Sequence, residues 1–316
     1  MKHVAMLALL LAVIAVGGCG KDDRPVKIGV SIPAATHGWT GGVVWNAEQA
    51  KARIERDNPD VEVILTTAAT ASDQADRIEN LSARGIQALV VMAQEPGPIT
   101  PACEAAKAKG AFLVVVSNPL ENPVQDVFVN GDNRSFGRAA ADAIGELLGG
   151  KGDIVMMEGI PCPINTDRVE GFRECLAERY PGIRILESQA AYWNTEKGLA
   201  VMENLLQKHP RLDAVWAGDD DVMIGALKAY EESGRSDLKA MVGGGGSKET
   251  VKRILDGNSV VKGTATYPPQ MIRTAIDTAL QGIRNNGKAA QREIIVPSQA
   301  VMKANAASFY FPDSVY

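Results

Sequence analysis

The sequence predicts an α/β protein of two doubly wound parallel-sheet lobes joined by a hinge. Three observations carry that prediction. Short apolar runs of strand character alternate with longer runs of helical period along almost the whole chain. Glycines such as Gly85 and Gly110 stand between helix and strand, where a helix C-terminus favours them. The alternation breaks near Val127–Asn133 and then starts again. Alternating β and α runs are the sequence form of repeated βαβ units, with helices covering both faces of a parallel sheet.

The first half begins with Val26–Ile32, an apolar run that reads as a buried strand. From Gly41 to Asp57 the residues Val43, Ala47, Ala50 and Ile54 recur at helical spacing, and Pro59 ends that helix. Val61–Thr66 is the next strand, and Ser72 is the expected cap of a helix carrying Ala75, Ile78 and Leu81. Gln87–Met92 reads as a strand, Ile99–Lys109 as a helix and Phe112–Val116 as a strand.

The second half opens with a helix holding Phe136, Ala140, Ile144 and Leu147. Strands are expected at Asp153–Met157, Ile183–Ser188, Asp213–Trp216, Lys239–Val242 and Val260–Thr266. Between them lie a helix from about Asp167, one with Leu199, Met202 and Leu205, one over Val222–Glu232, and one capped by Ser247. Pro268-Pro269 opens a last long helix with Ile272, Ala275, Ile276, Ala279 and Ile283. The expected division is 26–131 with 267–290 in lobe 1, and 132–266 with 291–316 in lobe 2. Ligands of open parallel sheets bind at the carboxyl ends of strands, so two such lobes can share one cleft.

The start of the chain has a different character. Lys2-His3 is followed by the apolar run Val4–Val16 and then Gly17-Gly18-Cys19. This is the layout of a secretory signal over 1–18, and the apolar run is too short to span a bilayer. The small-small-Cys ending resembles the lipobox of bacterial lipoproteins, which implies lipidation at Cys19 and a short polar leader over 19–25. An ordinary cleaved signal with an incidental cysteine is the other reading. Both place the body of the protein outside the cytoplasm, in the periplasm or cell envelope.

Net charge is −5, and loss of Lys2 with the signal makes it −6, mixed in sign and without a basic block. Nucleic acid is not an expected partner. Beyond Cys19 the cysteines are Cys103, Cys162 and Cys175, with no CxxC and no Cys/His cluster, so neither a metal nor another cofactor is expected. Cys162 and Cys175 can be read as a pair in an oxidising compartment, or Cys175 as a buried thiol beside Phe172 and Leu176.

The loops after strands hold the candidate binding residues. His37, Trp39 and Thr40 follow the first strand in a Gly-rich stretch. An indole face stacks on the C–H face of a sugar, and His exchanges hydrogen bonds. Alternatively, Trp39 staples its own helix. Asp167 and Glu170 look like a capping pair, which puts Arg168 in a first helical turn. Its guanidinium then holds hydroxyls or a carboxylate, unless it serves a surface salt bridge. Trp193 follows a strand and precedes the cap Asn194, as a counterpart of Trp39. Asp219-Asp220-Asp221 follows Trp216-Ala217-Gly218; such acids often complement a helix dipole, and Asp219 lies nearest the strand end. Gly243–Gly246 lacks both the P-loop ending and dinucleotide spacing. No nucleophile–base pair or Gly-x-Ser-x-Gly elbow is visible, so an enzyme is not expected.

From Val26 to about Val301 the chain resembles the type I periplasmic sugar-binding proteins of ABC transporters, the ribose-binding-like cluster. The stretches that carry this are Asp167–Phe172, Lys197–Leu206, and His209-Pro210 leading to Asp213–Ala217. The resemblance implies two lobes closing on a small solute and a membrane permease as partner; a monomer is expected. A lipoprotein that presents its ligand to a chemoreceptor or histidine kinase is the alternative role. The family's first-loop contacts match His37, Trp39 and Thr40, its clamping arginine Arg168, its stacking aromatic Trp193, and its Asn/Asp after the later strand Asp219. Its hinge crossing matches Gly131-Asp132-Asn133. Two departures stand out. Ser117-Asn118 replaces the family's Asp-Arg, which makes Asn118 the candidate contact, and Gly245 replaces an Asp. The usual Gln is matched by Thr266, followed by Tyr267. With two acidic hydroxyl acceptors missing, the standard mode of binding ribose, glucose or galactose is not expected. A different polyol or pentose, a bulkier solute or a partly anionic one fits better.

Overall fold

The computed structural model describes residues 25–316. The expectations for the signal and for Cys19 fall outside the described residues. The first half runs β1 (Val26–Pro33), α1 (Gly38–Asp57), β2 (Val61–Ala68), α2 (Ala71–Ala83), β3 (Ala88–Val91), α3 (Pro96–Ala108), β4 (Phe112–Val116) and β5 (Val127–Gly131). The second runs α4 (Asn133–Leu148), β6 (Lys151–Glu158), α5 (Pro163–Arg179), β7 (Gly182–Ala190), α6 (Thr195–Lys208), β8 (Ala214–Ala217), α7 (Asp220–Glu232), β9 (Ala240–Gly245), α8 (Lys248–Asp256) and β10 (Val261–Thr266). The chain ends with α9 (Met271–Arg284), β11 (Glu293–Val296), β12 (Ala300–Met302) and a short 3₁₀ turn, Ala306–Phe309.

Two sheets result, with strand orders β11-β5-β4-β3-β1-β2 and β12-β10-β9-β8-β6-β7. Every pairing is parallel except β10 with β12. The expected doubly wound α/β architecture is therefore present. Strands β3, β4 and β8 are buried at every position, as strands covered by helices on both faces must be. In each sheet the order reverses beside the first strand of that half, between β1 and β3 and between β6 and β8. Ligand sites form at such switch points.

The chain passes between the sheets after β5, after β10 and between β11 and β12, and these crossings lie side by side. Asp132 N donates to Val296 O (3.1 Å), Ser298 Oγ to Asp132 O (3.1 Å) and Thr266 N to Gln299 O (2.8 Å). One expectation is corrected here: residues 291–316 do not belong wholly to lobe 2, because β11 pairs with β5 in the first sheet. Its alternating, half-exposed pattern marks an edge strand, and edge pairing leaves little trace in composition.

Local starts differ too. Thr70, not Ser72, caps α2, accepting from Asp73 N (3.2 Å). Helix α5 starts at Pro163, whose missing N–H and fixed φ suit a first helical position. Asp167 and Glu170 therefore cap nothing, and Arg168 sits in the second turn. Ser247 does cap α8, accepting from Thr250 N (3.2 Å). Cys162 and Cys175 are free thiols at opposite ends of α5, about 20 Å apart by helical rise. The buried Cys175 donates to Asp142 Oδ1 (3.1 Å).

Helices α4 and α5 touch backbone to backbone. A Cβ on Gly137 would fall 1.9 Å from Arg168 O, and one on Gly171 2.2 Å from Arg134 O. That close approach carries Arg168 towards the middle of the molecule.

Candidate functional site

A cavity of about 510 Å³ lies between the strand ends of the two lobes, well inside the range of small-molecule sites. His37, Trp39, Thr40, Asn118, Arg168, Trp193, Asp219, Gly245 and Tyr267 all line it. Thr266 does not: its hydroxyl accepts from Gln299 N (2.9 Å) and ties two crossings together. Sequence reasoning passed over Met92, Pro96, Pro119, Ile160 and Ile164, which give the cavity an apolar wall. Their common signal is position, since each follows a strand end.

Arg168 is 6% exposed and makes no ion pair among the described residues. Its Nε donates to Asn133 Oδ1 (3.0 Å) and its Nη1 to Gly218 O (3.2 Å). Aromatic rings close around the guanidinium, Phe136 at 4.0 Å, Tyr267 at 4.5 Å and Trp193 at 5.8 Å. The faces of these rings offset part of the lost hydration of the cation. Desolvation lowers its pKa, opposed by Tyr267 and Asp219. Among the described residues the remaining guanidinium N–H groups have no protein acceptor, so donors are left for a guest.

Asp219 is the N-cap of α7, accepting from Asp221 N (2.8 Å) and Val222 N (3.4 Å). Burial first, and then Asp221 and Asp220, push its carboxyl up to about 8 against the pull of Arg168. Asp220 is raised to about 7 by burial, although Ser247 N (2.6 Å) and the Thr264 hydroxyl (2.9 Å) donate to it. The corner thus sets the Arg168 cation beside two carboxyls that burial makes harder to ionise.

Trp193 is aimed by strain. Tyr192 and Trp193 have φ of +57° and +52°, and Ser117, at the end of β4, has φ of +61°. Each such non-glycine residue costs on the order of 1–3 kcal/mol, and such strain collects at functional sites. The Trp193 indole lies over Gly159, with Nε1 2.0 Å from where a Cβ would stand. Among the described residues that buried Nε1 has no hydrogen-bond partner, and neither has His37 Nδ1. Burial lowers the pKa of His37, opposed by Asp221, which favours a neutral ring. The Thr40 hydroxyl is consumed locally, accepting from Thr36 N (3.0 Å) and His37 N (3.2 Å) and donating to His37 O (2.9 Å).

Trp39 lies in the first turn of α1 rather than in a free loop. Its Nε1 donates to Tyr267 O (2.7 Å), and its ring tilts on that of Tyr267 at 5.5 Å. The Tyr267 hydroxyl shares a hydrogen bond with Ser117 Oγ (3.0 Å) and donates to Asn130 Oδ1 (3.2 Å). Asn118 Nδ2 donates to Ala93 O (2.7 Å). Two lobes, a cleft at both switch points and a few convergent polar groups in an apolar wall make a receptor for a small solute.

The model of the periplasmic binding protein domain family matches residues 28–288. The chain belongs to that family. It is 30% identical over 236 residues to the ribose import binding protein RbsB of Bacillus subtilis, covering 74% of this chain and 75% of that one. It is 28% identical over 275 residues to the xylitol-binding protein of Mycolicibacterium smegmatis, covering 82% and 76%. Among solved structures, an ABC transporter solute binding protein from Mycobacterium smegmatis with bound glycerol superposes with a TM-score of 0.79 at 28% identity, covering 92% of this chain and 98% of that one. The periplasmic solute binding protein of Actinobacillus succinogenes with bound D-allose gives a TM-score of 0.80 at 24% identity, covering 90% and 99%, a likeness of fold. The expected type I periplasmic sugar-binding membership is borne out, and with it a role in binding solute rather than in catalysis. The family is periplasmic, and membership places this chain there.

Proposed function

We propose that this protein captures a sugar or polyol between its lobes and delivers it to an ABC permease, held to the membrane by a lipid on Cys19. The observation that carries the ligand reading is the corner of Arg168, Asp219 and Trp193, facing an apolar wall and the polar lobe 1 residues His37, Gln94, Glu95 and Asn118 in one cavity. Hydroxyls of the solute take the spare donors of Arg168, and C–H faces lie on the Trp193 ring and the apolar wall. His37, Trp39, Asn118 and Tyr267 shape the lobe 1 side. Relatives named for ribose and xylitol, and one holding glycerol, support polyhydroxylated solutes. A second reading, a solute bearing a carboxylate, rests on the missing counter-ion of Arg168.

A thermal-shift screen over pentoses, pentitols, hexoses, inositols and sugar acids tests both readings. A ligand at about 100 times its Kd adds roughly 2.7 kcal/mol to stability. Hits confined to sugar acids favour the second reading, and no hit in any class overturns both. Disruption of the gene should abolish uptake of the labelled hit. If uptake persists while a chemotactic or kinase response is lost, the role is sensing instead. Cys19→Ser should release the protein from membranes; unchanged partitioning rules out the anchor.

A further inference from the structure

The segment after β12 packs on lobe 2. Ala306 lies in the lobe 2 core, and Lys248 Nζ, at the start of α8, donates to Pro312 O and Ser314 O. Ser314 is buried and accepts from Tyr316 N (3.2 Å). The Tyr316 side chain then leaves lobe 2 and meets α1 of lobe 1. Its Cδ2 lies 3.1 Å from where a Cβ on Gly38 would stand, and its Cβ 2.8 Å from the same point on Gly42. These glycines are four residues apart, so they form a notch on one face of α1. Two glycines weaken a helix by about 1 kcal/mol each, which a close approach explains. From the lobe 2 side, the phenol oxygen lies 2.0 Å from the place of a Cβ on Gly245, itself at φ +115°. A side chain at 245 and the phenol of Tyr316 exclude each other.

Tyr316, 8% exposed, therefore stands in a socket of three glycines, two from lobe 1 and one from lobe 2. The socket exists only while the lobes are together. Beside it, Gly38 N donates to Asp221 Oδ2 across the same boundary (3.0 Å). We propose that Tyr316 is a positioning residue for the cleft: its ring latches the Gly245 loop to the start of α1 and so raises the affinity for solute. This rests on the solute-binding reading of the same cleft. The phenol oxygen is buried with no hydrogen-bond partner among the described residues, so the ring does the latching and the hydroxyl is a cost rather than a contribution.

The test compares Tyr316→Ala and Tyr316→Phe in the full chain. Hydrogen exchange of the protein without ligand is measured first. The Ala variant should exchange about fivefold faster at both 38–42 and 243–247, since both sides of the socket open together. The Phe variant should exchange no faster than wild type. Faster exchange confined to 306–316 and α8 would show an anchor for that segment and overturn the latch. So would a Phe variant that behaves like Ala. In calorimetric titrations with D-ribose and xylitol as probes, Ala should raise the Kd of whichever binds by about tenfold, with Phe restoring it. Unchanged Kd in the Ala variant overturns the proposal. If neither probe binds wild type, the sugar or polyol reading is what suffers, while the exchange data still decide the latch.

Discussion

Replacing Arg168 with Met should separate stability from affinity. The substitution keeps much of the side-chain length and removes the charge. Two terms destabilise the unliganded variant. Asn133 Oδ1 and Gly218 O lose their donor, at about 1–3 kcal/mol for each acceptor left unsatisfied. Contacts of the cation with Phe136 and Tyr267 are also lost, at about 0.5–2 kcal/mol each. Against these stands relief from burying a guanidinium that has no ion-pair partner among the described residues, worth several kcal/mol. The opposing terms offset each other in part, so unfolding in urea should show a smaller loss than the severed hydrogen bonds and ring contacts alone would give. Affinity has no such compensation. A charge-assisted hydrogen bond contributes roughly 1.5–3 kcal/mol, so titration calorimetry with the screened ligand should show Kd raised about 10- to 150-fold. A variant that binds within about threefold of wild type yet loses as much stability as those severed contacts alone would give would make Arg168 a structural clamp and remove it from the binding site.

Three further outcomes are expected. Gly137→Ala places a Cβ 1.9 Å from Arg168 O, so α5 must shift; urea melts should show a loss of about 1–3 kcal/mol or more, with ligand affinity falling alongside it, and unchanged affinity would show that Arg168 tolerates the shift. Trp193→Ala should weaken ligand binding by about 1–3 kcal/mol and remove most of the ligand-induced change in tryptophan fluorescence; a variant that keeps both places the indole outside the site. Unfolding free energy should fall as pH rises from about 4 towards 8, because Asp219 and Asp220 are raised to about 8 and about 7 and the folded state holds protons that the unfolded chain has released; His37, with its lowered pKa, works in the opposite sense around pH 6.5, and Asp219→Asn should flatten the decline.

The fold was legible because each βαβ unit repeats the same local signals. What the sequence hid is what depends on partners far along the chain. Strands β11 and β12 have four and three residues, too few for a period to register, and both owe their place to pairing with β5 and β10. The start of α5 was hidden by Pro163, which reads as a loop residue unless it is recognised as a first helical position. Arg168 was legible as a candidate, but its surroundings were not. Phe136, Trp193 and Tyr267 come from three separate segments, and only the tertiary fold brings them around one guanidinium.

Gly245 shows how a sequence departure changes meaning once its neighbours are known. Read along the chain, it is a missing acid, and its loss lowers the negative charge of one corner. In three dimensions the space is filled, because the Tyr316 phenol oxygen stands where a side chain would begin. The corner therefore does not gain room for a larger solute. It exchanges an acceptor that would face the ligand for a ring that joins the lobes. The acids that remain there, Asp219 and Asp220, are both held towards their neutral forms by burial. The donors this cleft offers a guest are the spare guanidinium N–H groups of Arg168, while Asn118, Gln94 and Glu95 add polar groups on the lobe 1 side. A solute that presents oxygen lone pairs to the guanidinium and C–H surface to the apolar wall matches that lining. Gly245→Asp should lose affinity, because a carboxylate there must displace Tyr316 and adopt φ of +115°. If Gly245→Asp instead bound D-ribose more tightly than wild type, the acid would be the element this cleft lacks and the filled corner would count for little.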